Sequence, residues 1–129
     1  MPRLRVDRIR ELLSSLVKKY PELRGHKRLQ LIYTAIENLR KRGEKLTLEN
    51  IVSEARRIAE DTRGEIDWGI KPSEYTEDIA VPLLYELAQM GAVELSPELL
   101  SEVSRRIKKR SEGREEVIVM GVSLVSKPL

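Results

Sequence analysis

The sequence predicts an α+β fold in which about five helices pack with a small, mainly antiparallel sheet. Apolar residues recur every three or four positions over most of the chain, as in helices with one buried face. Three shorter segments alternate polar and apolar residues or are rich in valine and isoleucine, and these predict strands at 65–70, 92–95 and 116–126. A chain of 129 residues is long enough to form one domain, 1–129, with its own core.

Two helices are predicted in the first third of the chain. The first has a single apolar stripe over residues 6–20 and is ended by Pro21. The second begins near residue 22 or 26 and runs to Arg42, where Gly43 provides a stop. Both should bury one face and leave the other to solvent.

Three further helices follow. Thr47 is a good N-cap for the third, which Gly64 closes. The fourth lies within 73–90 and contains Pro82, which predicts either a kink or the start of a new helix. The last begins with a serine and a proline and covers 97–110.

The segment 117–125 is the strongest strand signal in the chain. It is apolar at most positions, so both faces of the strand should be covered. Either the rest of the monomer or a second subunit could cover it, which leaves a homo-oligomer open.

Charge is distributed in three blocks. Residues 1–63 carry 16 Lys and Arg against 9 Asp and Glu, residues 64–102 carry one base against 9 acids, and residues 103–129 carry 7 bases against 3 acids. If the two basic blocks fold together, one face attracts polyanions, although a solvated, ion-paired surface would have the same composition. The frequent charges, the four Gln and Asn residues and the absence of Cys are typical of thermophiles and predict an archaeal source.

Several classes of protein are disfavoured by what the sequence lacks. Without Cys and with His26 as its one histidine, the chain offers no thiol chemistry, no zinc–thiolate site and no Ser–His–Asp triad. Glycine-rich nucleotide-binding motifs are absent too. Asp61, Glu65 and Asp67 match no metal-binding spacing, so we expect neither metal nor cofactor. A non-catalytic protein without a signal peptide or membrane span, and therefore cytoplasmic, is predicted.

Basic residues are the main candidates for a binding surface. The densest run lies near the end of the last predicted helix, and a second group lies at the start of the first helix. The members of the run near the end of the last helix are Arg105, Arg106, Lys108, Lys109, Arg110 and Arg114. The members of the group at the start of the first helix are Arg3, Arg5, Arg8 and Arg10. Lys18, Lys19, Arg24, Lys27 and Arg28 add to them. Phosphate contacts from such residues would give salt-dependent nucleic-acid binding, although a basic helix end also suits the helix dipole.

Two aromatic residues are candidates for stacking on bases. Trp68 lies in an irregular segment beside Gly69, and Tyr75 follows closely. Base stacking on such rings would bind single strands irrespective of sequence. A tryptophan is more often a core residue, and the acids Glu65 and Asp67 would repel phosphate, so both interpretations stay open.

The order of two helices, a third helix at 73–90 and a strand at Val93 resembles a winged-helix domain over residues 26–125. In that fold the third helix enters the major groove and presents basic or amide side chains to the bases. Here that helix region contains Glu74, Glu77 and Glu86 but no Lys or Arg, which disagrees with that mode of recognition.

The size, the thermophile composition, helices around a small sheet and basic segments with one loop tryptophan also resemble the archaeal single-stranded DNA-binding proteins related to ThermoDBP. That resemblance implies that single strands lie in an apolar cleft flanked by basic residues. The first functional hypothesis is therefore a nucleic-acid-binding protein without sequence specificity that prefers single-stranded DNA. The alternatives are a winged-helix-like regulator of duplex DNA and a scaffold subunit whose acidic segment 64–102 docks a basic partner.

Overall fold

The computed structural model describes the backbone of residues 2–108 and the side chains of residues 6–108. Within this part of the chain there are five α-helices, separated by turns and two short 3-10 helices, Pro21–Leu23 and Pro72–Glu74. The α-helices are α1 (Pro2–Lys19), α2 (Lys27–Lys41), α3 (Leu48–Asp61), α4 (Glu77–Gln89) and α5, which begins at residue 97 and is described as far as residue 108.

The predicted α+β fold class is wrong for the part of the chain that is described, because residues 2–108 contain no strand. The segments 65–70 and 92–95 are turns and irregular loop. The third predicted strand, 116–126, lies outside the described residues. The fold over residues 2–108 is therefore all-α.

The alternation at 65–70 comes from a loop that packs two side chains inward. Trp68 is buried and Ile66 half-buried, as they would be in a strand. The backbone N–H groups of Glu65 and Ile66, however, both donate to the carbonyl of Thr62, at 2.9 and 3.0 Å, and so close the end of α3. Gly64, with φ of 82°, turns the chain there. Apolar residues at every second position thus indicate that alternate side chains are buried. This pattern occurs in a loop as well as in a strand of a sheet.

The segment 92–95 connects α4 to α5. The N–H of Ala92 donates to the carbonyl of Leu87 at 3.0 Å, which ends α4, and Val93 is buried in the core. Ser96 then caps α5, since its Oγ accepts from the N–H of Leu99 at 3.2 Å. With a helix end on one side and a cap on the other, too little backbone is left for a strand.

The predicted helices are confirmed. Thr47 caps α3, its Oγ1 accepting from the N–H of Asn50 at 3.0 Å, and Gly43 has the positive φ, 71°, of a helix stop. At α4 a single helix continues through Pro82, so no new helix starts there. Pro82 is on the exposed side of α4, so its ring displaces no core residue.

Helix α2 lies at the centre of the fold. It contacts α1, α3, α4 and the first 3-10 helix. Residues on nearly every side of it are buried: Leu29, Gln30, Leu31, Ile32, Thr34, Ala35, Ile36 and Leu39. The two polar members are satisfied, because Thr34 Oγ1 donates to the Gln30 carbonyl and Gln30 Nε2 donates to the Leu23 carbonyl, both at 2.8 Å.

A buried carboxylate joins α2 to α3. Glu54 is 4% exposed and accepts from both Arg42 and Arg57, with shortest distances of 2.8 and 2.7 Å, and from Asn38 Nδ2 at 3.1 Å. Burial alone would raise the pKa of Glu54, but these hydrogen bonds outweigh it and lower the pKa to about 2. Arg42 also pairs with Glu44 in the connecting turn. The α2–α3 hairpin therefore depends on an ionised Glu54.

Replacing Glu54 by Gln should lower the free energy of unfolding near neutral pH by about 3 kcal/mol. The pKa of Glu54 is depressed from its ordinary 4.5 to about 2 in the folded protein, so its contribution is complete above pH 4.5. That contribution is lost as the pH falls towards about 2, where wild type and variant should converge. Urea unfolding over this pH range measures the difference.

Glu60→Gln is the matched control. Glu60 is on the same helix and pairs with Arg63 at 3.3 Å, but both side chains are mostly exposed. Its loss should cost less than about 1 kcal/mol. Equal effects of the two substitutions would contradict a special role for Glu54.

Candidate nucleic-acid interface

A groove of about 450 Å³ opens between α1, the start of α2 and the loop after α3. We call it the α1–α2 groove. Its walls are Arg10, Leu13, Ser14, Val17, Arg24, Gly25, Lys27, Gln30, Glu65, Ile66 and Asp67. The four α1 residues recur at intervals of three and four and so share one face of that helix.

Three cations come to this groove from separate parts of the chain. Arg10 lies on α1, Arg24 in the turn before α2 and Lys27 in the first turn of α2, and all three are exposed. Arg10 Nη2 donates to the backbone carbonyl of Glu65 at 3.1 Å. Among the described residues, no carboxylate pairs with any of the three. Their charges are therefore available to an anion.

The position of Arg24 depends on a buried amide. Gln30 is 3% exposed and its Nε2 donates to the carbonyl of Leu23, which fixes the 3-10 helix that leads into Arg24. Gly25, with φ of 87°, then turns the chain into α2. Gln30 was not among the predicted site residues, because its only signal in the sequence is an amide within the apolar pattern of α2.

The loop side of the groove is acidic. Glu65 and Asp67 line it, and Asp67 Oδ1 accepts from the N–H of Gly69 at 2.9 Å, which shapes the turn. The floor is formed by the apolar side chains of Leu13, Val17 and Ile66. The groove thus combines three cations, apolar side chains and an acidic loop, and one of the cations, Arg10, reaches from α1 to that loop.

A second cavity, of about 380 Å³, lies on the other side of the first turn of α2. We call it the α2–α4 cavity. It shares Gly25 and Lys27 with the groove, and its other walls are His26, Arg28, Leu29, Trp68, Gly69, Leu83 and Glu86. Arg28 Nη2 donates to the carbonyl of Gly69 at 3.4 Å, which ties α2 to the loop. The first turn of α2 is therefore the wall between two adjoining depressions.

The three predicted basic residues of α5 that are described, Arg105, Arg106 and Lys108, do not line either depression. Arg105 and Lys108 are exposed, whereas Arg106 pairs with Glu77 at 3.0 Å and Glu102 at 3.8 Å. Arg106 thereby ties α5 to the first turn of α4, about 13 Å along the axis of α4 from Glu86. Lys109, Arg110 and Arg114 lie outside the described residues.

The predicted residues of α1 are divided in the same way. Arg8 is exposed but lies two positions from Arg10, about 200° around the helix axis, and so on the face opposite the groove. Arg3 and Arg5 belong to α1, and their side chains are outside the described part.

Both predicted stacking residues are buried. Trp68 is 3% exposed and its Nε1 donates to Thr62 Oγ1 at 2.8 Å. Tyr75 is fully buried, and its hydroxyl has no hydrogen-bond partner among the described residues. Burial raises the pKa of Tyr75, with a smaller opposing effect of Arg28. In this conformation neither ring offers a face to a base, which favours the core interpretation of both.

The described residues contain neither a candidate metal site nor a candidate membrane span. No group of three or more His, Asp or Glu side chains that could hold a metal ion is found there. None of the helices within residues 2–108 has the length and apolar character needed to cross a bilayer.

Comparison with protein-family models, with curated proteins and with solved structures finds no match to this chain. The resemblance to the ThermoDBP-related proteins therefore stays a prediction.

Replacing Trp68 by Ala should lower the free energy of unfolding by about 3–5 kcal/mol, because it removes a large buried ring and leaves a cavity. Tyr75→Phe, in the same region, should instead raise stability by about 1 kcal/mol, because it removes a hydroxyl that is buried without a partner. Thermal or urea unfolding measures both. A Trp68→Ala protein that melts like the wild type but loses single-strand affinity would make Trp68 a ligand platform after all.

Proposed function

We propose that this protein binds nucleic acid without catalysing a reaction, that it prefers single-stranded DNA, and that the α1–α2 groove is the binding surface. The observation that carries the proposal is the meeting of Arg10, Arg24 and Lys27, from three segments of the chain, above an apolar floor. The proposed place of action is the cytoplasm, as predicted from the sequence.

Arginine and lysine are the usual partners of phosphate, and each phosphate contact contributes affinity that falls with salt. Apolar floor residues suit the flat faces of bases, which a single strand can present and a stacked duplex cannot. A volume of about 450 Å³ falls within the usual size of ligand pockets, about 300–1,000 Å³. Charge, floor and size are thus consistent with an unstacked strand.

The acidic loop side sets the direction in which a strand would lie. Glu65 and Asp67 repel phosphates, so in this proposal the backbone of the strand follows mainly Arg24 and Lys27, whereas Arg10 already contacts the loop at Glu65. Its bases then point over the floor towards the loop. This arrangement uses all three surfaces of the groove.

The two alternatives have less support. A winged-helix mode needs basic or amide side chains on the third helix, whereas α4 has neither Lys nor Arg. The predicted wing segment 92–95 is not a strand. No observation in residues 2–108 specifies a basic partner for the acidic segment 64–102. We therefore retain nucleic-acid binding.

Replacing Arg24 and Lys27 by Ala should weaken binding to oligo-dT and lower the slope of log K against log salt by about 1.4, or about 0.7 for each lost phosphate contact. Fluorescence polarisation of a labelled oligonucleotide at several salt concentrations measures affinity and slope together. A duplex of the same length, measured in parallel, should bind more weakly than the single strand.

The double variant Lys41→Ala with Lys45→Ala is the matched control. Like the first variant it removes two exposed positive charges, but these lie at the C-terminal end of α2 and in the turn after it. The slope of log K against log salt should therefore stay unchanged. A third variant, Arg105→Ala with Lys108→Ala, tests the basic end of α5. Equal losses of oligo-dT affinity in all three double variants would indicate nonspecific charge attraction. No binding of oligo-dT by the wild type would refute the proposal.

A further inference from the structure

The α2–α4 cavity combines opposite charges around an apolar wall. Leu83 and Glu86 are three residues apart on α4 and so share one face of that helix, and Arg28 lines the same cavity from α2. The apolar part of the wall is mainly Leu83, which is half-buried, because Trp68 is 3% exposed and contributes little surface. A wall of this kind suits a flat heterocycle with polar edges better than it suits a phosphate.

This cavity adjoins the α1–α2 groove. Lys27 and Gly25 line both, so a strand whose phosphates follow Arg24 and Lys27 reaches the cavity by crossing the first turn of α2. Arg28, the next residue, then lies within the path of its backbone. The cavity is thus the natural place for the next base of the same strand.

Glu86 gives the cavity a preference among bases. It is exposed, and among the described residues no hydrogen bond or ion pair uses its carboxylate. An ionised carboxylate only accepts hydrogen bonds, so it pairs with the amino group of a base, such as N4 of cytosine. Thymine presents a carbonyl oxygen, O4, at the same position, which repels the carboxylate.

We propose that the α2–α4 cavity is a base-binding subsite in which Glu86 accepts a hydrogen bond from the amino group of a base and so favours cytosine over thymine. This inference rests on the proposed single-strand binding. It adds a modest base preference to binding that is otherwise insensitive to sequence.

The test compares oligo-dC with oligo-dT of equal length, two pyrimidine strands that differ at the position Glu86 would recognise. At mildly alkaline pH, where oligo-dC stays unpaired, the wild type should bind oligo-dC about fivefold more tightly, as expected for one added hydrogen bond. In Glu86→Gln the ratio of the two affinities should fall to about one, because an amide can pair with either base.

Glu94→Gln is the matched control. Glu94 is exposed in the loop after α4, and the substitution removes the same charge without touching the cavity, so the ratio should stay at its wild-type value. Thermal unfolding of both variants checks that they are folded.

The outcomes separate the two proposals. A wild type that binds neither strand refutes single-strand binding itself. Tight but equal binding of both strands refutes only the base subsite, and a cytosine preference that persists in Glu86→Gln shows that another group selects the base.

Discussion

The architecture depends on the burial of α2. Eight of the 15 residues of this helix are buried, on nearly every side, so α1, α3 and α4 have to surround it. A helix in this position tolerates polar groups only if they are paired, and Gln30 and Thr34 are each satisfied by a backbone carbonyl. The burial of α2 therefore sets the positions of the three helices that contact it.

The most exposed residues of α2 lie at its two ends, and both cavities lie against the N-terminal one. His26, Lys27 and Arg28 are exposed in the first turn, whereas Leu29 begins the buried part immediately after them. Helix α1 contributes to the walls of one cavity beside this end, and α4 contributes to the walls of the other. The α1–α2 groove and the α2–α4 cavity therefore both lie against the exposed first turn of α2.

The two ends of α2 differ in how their charges are used. At the C-terminal end Arg42 is paired with Glu44 and with the buried Glu54, so its charge serves the hairpin. At the N-terminal end Arg24 and Lys27 have no carboxylate partner among the described residues. Cations held in ion pairs contribute little to the attraction of a polyanion, so under the proposed function Arg24 and Lys27, which line the same groove, are the residues that would contact phosphate. Arg106, paired with Glu77 and Glu102, resembles Arg42 in this respect.

The sequence by itself determined the helices, because helical periodicity and caps such as Thr47 and Ser96 are local signals. It did not determine the fold class: Ile66 and Trp68 alternate as in a strand, but their inward positions belong to a loop, and only the tertiary packing distinguishes the two. The sequence also determined which residues are cations. Whether a cation also pairs with a carboxylate distant in the chain, as Arg106 does with Glu77, or has no carboxylate partner among the described residues, like Lys27, was decided only by the tertiary structure. The groove has the same origin, since its walls come from α1, α2 and the loop after α3, and no local pattern brings those segments together.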